Sequence, residues 1–149
     1  MVNSIITSDR KFPLPASVIR NTAEQIGVWS LFRKSFEICD FSEAELYFFA
    51  SDFCEVYVNG EKLTEYSVRS YVYNRAYEVY DVASLLKKGG NTVAVRFCDG
   101  AGGVNRGFAC EILVDGKKMS GTWVCHSDDS VENDVGHYII SVGTYEVHN

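Results

Sequence analysis

The stretch Tyr77-Glu78-Val79-Tyr80-Asp81-Val82-Ala83-Ser84-Leu85-Leu86-Lys87-Lys88-Gly89-Gly90-Asn91-Thr92-Val93-Ala94-Val95-Arg96 reads as a strand, one capped helical turn, a glycine stop and a second strand. Asp81 is placed to cap the turn, because its carboxylate can accept amide protons from residues two or three further on. Gly89 and Gly90 can take the positive φ that ends it. From Thr92 to Phe97 the chain alternates, with Val93, Val95 and Phe97 on one face and Thr92, Ala94 and Arg96 on the other. Two strands joined by so short a turn suit a β-sandwich, whose sheets are connected over the ends of a shared core.

The same period of two recurs on either side. Trp29 to Ile38 alternates; Leu46, Phe48 and Ala50 oppose Glu45, Tyr47 and Phe49; Cys54, Val56 and Val58 oppose Glu55, Tyr57 and Asn59. Asn59-Gly60 predicts a two-residue hairpin, since both residues tolerate positive φ, and Asp115-Gly116 predicts another between Glu111–Val114 and Lys117–Val124. A strand is expected over Val68–Tyr80 and a last one over Tyr138–Val147, while Pro13 and Pro15 place an extended segment near the start. About nine short strands with almost no helix predict an all-β fold, two stacked antiparallel sheets in a single domain over residues 1–149.

The motif also carries a resemblance. Arg75, Tyr77, Tyr80-Asp81-Val82, Leu85-Leu86 and Lys88-Gly89-Gly90-Asn91-Thr92-Val93-Ala94-Val95 resemble the N-terminal β-sandwich module of bacterial α-L-rhamnosidases. Upstream, Leu31-Phe32-Arg33-Lys34-Ser35-Phe36 resembles that module's opening strand, and Ala44–Phe48 with Glu55–Lys62 its next hairpin; Trp123 falls where the module usually ends. The likeness spans roughly residues 28–125, and sugar-binding sandwiches of β-galactosidase-like enzymes share a looser version. It implies a jelly-roll, galactose-binding-domain-like sandwich whose partners are a saccharide or a catalytic glycoside-hydrolase domain. It also implies no catalysis in this chain, because the catalytic acids of such enzymes belong to a helical barrel. The expectation is an accessory module, a piece of a longer enzyme or a stand-alone relative.

Composition sets the remaining bounds. The chain has 149 residues, 46% of them hydrophobic and 23% charged, with 14 basic against 20 acidic side chains. Length and balance suit one soluble globule with its own core. The basic pairs Arg33-Lys34, Lys87-Lys88 and Lys117-Lys118 form no stripe, so no nucleic-acid partner is expected, and no apolar run approaches a bilayer span of about 20 residues. Met1 to Arg10 lacks the basic-then-apolar order of a secretory signal, and Cys39, Cys54, Cys98, Cys110 and Cys125 include no Cys-x-x-Cys pair. Buried reduced thiols are expected, with a cytoplasmic location, or a secreted one if a leader has been removed.

Binding is the chemistry the residues offer. Tyr71, Tyr73, Arg75 and Tyr77 share one parity of the expected strand. Tyr rings stack on the C–H faces of sugars and guanidinium groups bracket hydroxyls, although aromatics also line sheets simply because they suit strands. Asn105 and Arg106, in the glycine-rich stretch Asp99–Gly107, could add polar contacts or belong to a connector. No catalytic residue is expected: glycosidases hold two carboxyl groups about 5 to 9.5 Å apart, whereas Glu43, Glu45 and Glu55 read as solvated outer-face charges. Adjacent strand residues such as Cys125 and His126 point to opposite faces, which rules against a nucleophile–base pair. No metal or other cofactor is expected. Asp128, Asp129, Glu132, Asn133 and Asp134 offer the oxygen ligands calcium prefers, but without the twelve-residue loop pattern a plain acidic loop is the simpler expectation.

Overall fold

The alternation is realised as β-structure in the computed structural model, which describes residues 4–7, 19, 29–64, 77–99, 107–128, 131–134 and 145–148. In chain order the strands are β1 Ser4–Thr7, β2 Trp29–Ile38, β3 Ala44–Ala50, β4 Phe53–Val58, β5 Glu61–Thr64 and β6 Tyr77–Asp81. After a 3-10 turn at Ala83–Leu85 come β7 Gly89–Cys98, β8 Phe108–Val114, β9 Lys117–Lys118, β10 Trp123–Ser127, β11 Val131–Asp134 and β12 Tyr145–His148. One sheet has the order β1-β6-β3-β8-β9 and a second β10-β2-β7-β4-β5, while β11 and β12 form a separate ribbon. Their pairings are antiparallel. Among the described residues no helix is long and apolar enough to cross a membrane.

The longest ladder joins β2 to β7, from Trp29 opposite Cys98 to Ile38 opposite Gly89. Because side chains alternate, this register turns Phe32, Phe36, Val93, Val95 and Phe97 to one face, where Cys54, Val56 and Val58 of β4 join them. Leu46, Phe48, Phe108, Ile112 and Tyr80 of the first sheet close over them. Each fully buried aliphatic or aromatic side chain contributes about 1.5–3 kcal/mol, so this shared layer is the main source of cohesion. The first sheet is buried on its outer side too, where Tyr47, Phe49, Tyr77, Val79 and Ala109 cluster.

The crossover between sheets follows the expected chemistry. Ala83 N donates to Asp81 Oδ1 at 3.0 Å, and Leu85 N and Leu86 N donate to Val82 O. Gly89 takes φ +94°, whereas Gly90, expected to share that role, does not take a positive φ. Asn91, 2% exposed, then fastens the turn: its Nδ2 donates to Lys87 O and Gly89 O, and its Oδ1 accepts from Lys87 N and Asn59 Nδ2.

Both hairpins form with the residues that positive φ demands: Asn59 and Gly60 at +48° and +88°, Asp115 and Gly116 at +46° and +74°. Asp115 Oδ1 accepts from Glu43 N and Ser42 N, which holds its carboxyl below the usual range.

Two expectations need correction. The strand expected over Lys117–Val124 stops at Lys118, and Trp123 begins β10 in the other sheet. The chain changes sheets here, which a periodicity of two does not register. It crosses close to β2, since a Cβ on Gly121 would lie 2.7 Å from Ser35 O. Gly121→Ala is therefore expected to cost about 1–3 kcal/mol by overpacking against backbone, read as a lower denaturant midpoint at unchanged slope. The acidic loop is likewise partly strand: β10 reaches Ser127, and Val131–Asp134 pairs with β12. Of the last expected strand, Tyr138–Val147, the part from Tyr145 is described and is strand, as β12 Tyr145–His148; the rest lies outside the described residues.

Candidate functional site

Of the sequence-predicted binding residues, Tyr71, Tyr73, Arg75, Asn105 and Arg106 lie outside the described residues. Tyr77 is described and 8% exposed, its ring 6.1 Å from that of Tyr47 in the outer cluster of the first sheet. It is packed among apolar neighbours, not presented to solvent. Val79, at the same parity, joins the same outer cluster, so this face of β6 is buried.

The second sheet differs. Its outward residues form rows set by the registers. In one row Val124 lies opposite Arg33, Arg33 opposite Ala94, Ala94 opposite Tyr57, and Tyr57 opposite Lys62. In the next, His126 lies opposite Leu31, Leu31 opposite Arg96, and Arg96 opposite Glu55. Leu31 and Val124 are 42% and 53% exposed, so two large apolar side chains stand open on neighbouring strands of one face.

The half of this face over β7 and β4 is tied together electrostatically. Arg96 stacks over the Trp29 ring at 4.2 Å, donates from Nε to Asp128 Oδ2 at 2.9 Å, and reaches Glu55 Oε2 at 3.4 Å. Glu55 also accepts from Lys62 Nζ at 2.8 Å and from Tyr57 O–H at 3.0 Å. Glu55 is thus half-buried and bonded, not the solvated outer charge expected, and Glu45 likewise accepts from Tyr47 O–H. Asp128, expected in a plain acidic loop, is 8% exposed and engaged with Arg96. Strand periodicity shows which face a side chain joins, but not that acids 55 and 128 converge on one guanidinium.

Burial alone would raise the Glu55 carboxyl. The hydrogen bonds from Lys62 and Tyr57, with the charges of Lys62 and Arg96, outweigh it and hold the group below the ordinary glutamate value. A carboxyl depressed on folding adds stability above its unfolded value of about 4.3 and loses it as pH falls through the folded value. Glu55→Gln is expected to destabilise the protein near neutral pH, with the gap to the parent narrowing below about pH 4. Urea midpoints across that range check it.

Inside the sandwich the polar groups are also committed. Lys34 points inward at the parity of Phe32 and Phe36, and its Nζ donates to Met119 O at 2.9 Å. It lines, with Cys110, Met119 and Trp123, a pocket hardly larger than a water molecule. Glu78 faces the core and accepts from Tyr80 O–H. Burial pushes the thiols of Cys54 and Cys110 well up, so they stay protonated and unreactive. Cys98 is buried too, whereas Cys39 and Cys125 are exposed, contrary to the expectation of buried thiols throughout. Cys39 lies just past the end of β2 and Cys125 on the edge strand β10, where the core no longer covers them. Among the described residues no group of three or more His, Cys, Asp or Glu is arranged to hold a metal ion.

Residues 40–127 match the family described as the α-L-rhamnosidase N-terminal domain. No curated protein is detectably similar to the chain. Among solved structures, a family GH78 rhamnosidase of Bacillus sp. GL1 is 28% identical with a TM-score of 0.69, over 78% of this chain and 14% of that one. The α-L-rhamnosidase of Aspergillus terreus is 25% identical with a TM-score of 0.59, over 85% of this chain and 16% of that one. The Streptomyces avermitilis α-L-rhamnosidase complexed with L-rhamnose shares the fold at 19% identity and a TM-score of 0.55, over 83% of this chain and 12% of its own. The chain thus corresponds to a small part of each enzyme's length. The matched span runs from the end of β2 through β10 and includes both hairpins and the Asn91 turn. By that match, the chain belongs to the α-L-rhamnosidase N-terminal domain family.

Proposed function

We propose that the chain is a non-catalytic accessory sandwich of an α-L-rhamnosidase-type glycoside hydrolase, and that it binds saccharide weakly. The observation that carries this is the family match over residues 40–127 to a domain that makes up 12–16% of the similar enzymes. The disposition of the described acids supports the non-catalytic part. Glu55, Asp128, Glu78 and Glu111 each bond a neighbouring side chain within the sandwich, so they serve as structural partners in place of a solvent-facing acid and base. The open outer face of the second sheet, with apolar and hydrogen-bonding groups side by side, supports the binding part.

The purified chain is expected to leave a chromogenic α-L-rhamnoside uncleaved while showing saturable, millimolar binding of L-rhamnose by calorimetry or NMR. Turnover that a carboxylate substitution abolishes would replace this reading with a hydrolase. A second reading, a purely structural interdomain sandwich, is favoured by Leu31 and Val124, whose exposure suits contact with another protein surface. Absence of sugar binding with retained folding would select it.

A further inference from the structure

We propose that the outer face of the second sheet carries a shallow saccharide subsite centred on Ala94, between the Tyr57 ring and the Arg33 guanidinium, fitted to the end of a neutral deoxyhexose-bearing glycan. The inference rests on the saccharide-binding reading above and assigns it to a place.

The registers put Ala94 directly between Arg33 on β2 and Tyr57 on β4. Neighbouring strands lie about 4.8 Å apart, so the two flanking Cα atoms are about 10 Å from one another with only a methyl group between them. A short side chain flanked by two long ones makes a dish. Tyr57 is fixed on one side, its O–H bonded to Glu55 and its ring under Lys62. Arg33 on the other side is exposed, and its guanidinium has no hydrogen bond or ion pair with any described residue. Ser35 and Thr92, paired on the same face one row along, add two hydroxyls 3.4 Å from each other. The exposed Val124 lies on the far side of Arg33, and the exposed Leu31 stands one row along β2.

This donor set selects its ligand. A phosphate or polyanion would call for several uncommitted cations, but Arg96 is neutralised by Asp128 and Glu55, and Lys62 by Glu55. One open guanidinium, two hydroxyls, an aromatic face and two apolar side chains match a ring with a C–H face, vicinal hydroxyls and a methyl in place of one hydroxymethyl. The dish has no walls, so it buries little of its ligand and its affinity is weak.

The test is a ¹H–¹⁵N titration of the whole chain with L-rhamnose. Saturable shifts are expected at Leu31, Arg33, Ser35, Tyr57, Thr92 and Ala94. Ala94→Gln, which fills the dish, and Arg33→Ala, on an exposed position, are each expected to weaken binding about tenfold. Unchanged melting temperatures would show that both remain folded. Shifts that map elsewhere and are indifferent to both substitutions would overturn the subsite while leaving saccharide binding standing. No shifts in large millimolar excess of sugar would remove both.

Discussion

Phe108→Ala is expected to lower stability by about 4 kcal/mol. Phe108 is fully buried on β8 of the first sheet, and its ring meets Phe32 edge-on at 4.9 Å, Phe97 at 6.1 Å and Trp123 edge-on at 5.4 Å, all three from the second sheet. Phe48 stacks on it at 6.3 Å from its own sheet. Truncation leaves a cavity that four aromatic rings border and that the stiff strands beneath them cannot close. Single domains are stable by only about 5–15 kcal/mol, so the variant should show a much lower denaturant midpoint or fail to accumulate. Phe108→Leu, which keeps most of the volume, should recover more than half of the loss. Equal midpoints for Phe108→Ala and the parent would mean that this ring does not join the two layers.

Asn91→Leu is expected to cost about 3 kcal/mol although it adds apolar surface. Asn91 is buried at the inward parity of β7, where a Leu would look favourable by pattern alone. Its amide, however, makes hydrogen bonds to Lys87 N, Lys87 O, Gly89 O and the Asn59 side chain, at 2.7–3.0 Å. Removing it leaves Lys87 N, Lys87 O and Gly89 O without these part-buried bonds. Asn91→Asp should cost a similar amount, since a carboxylate keeps the two accepted bonds but turns its negative charge on the carbonyls of Lys87 and Gly89. A fall in melting temperature of roughly 10 °C, read by circular dichroism, is the expected result for both. Asn59→Ala should cost less, because Asn59 is exposed at the hairpin and water can take over its bonds.

The two sites also show where sequence patterning is informative and where it is not. Inward parity on β2, β4 and β7 was legible residue by residue, from Phe32 to Phe97, because a half-buried strand imposes a period of two. So were both hairpins, since only residues tolerant of positive φ fit there. The family resemblance was carried by the Lys88–Val95 run, whose Gly89 and Asn91 are the residues that shape the crossover. The candidate site was less legible. Tyr77 was expected on a binding stripe, yet its face of β6 is buried on the first sheet. Ala94, Arg33 and Tyr57 lie far apart in the chain, and nothing local marks them as neighbours.

From the order of residues alone came the core strands β2, β3, β4 and β7, their inward faces and the two hairpin turns, because each is a matter of steric and hydrophobic periodicity within a few residues. Tertiary structure alone decided which strands adjoin, where Lys117–Val124 breaks to change sheets, and which outward face stays open. Those outcomes depend on pairings between distant segments. Arg96 collects Glu55 and Asp128 only once β4, β7 and β10 have taken their places in one sheet, and Gly121 meets Ser35 only once the chain has crossed to β10.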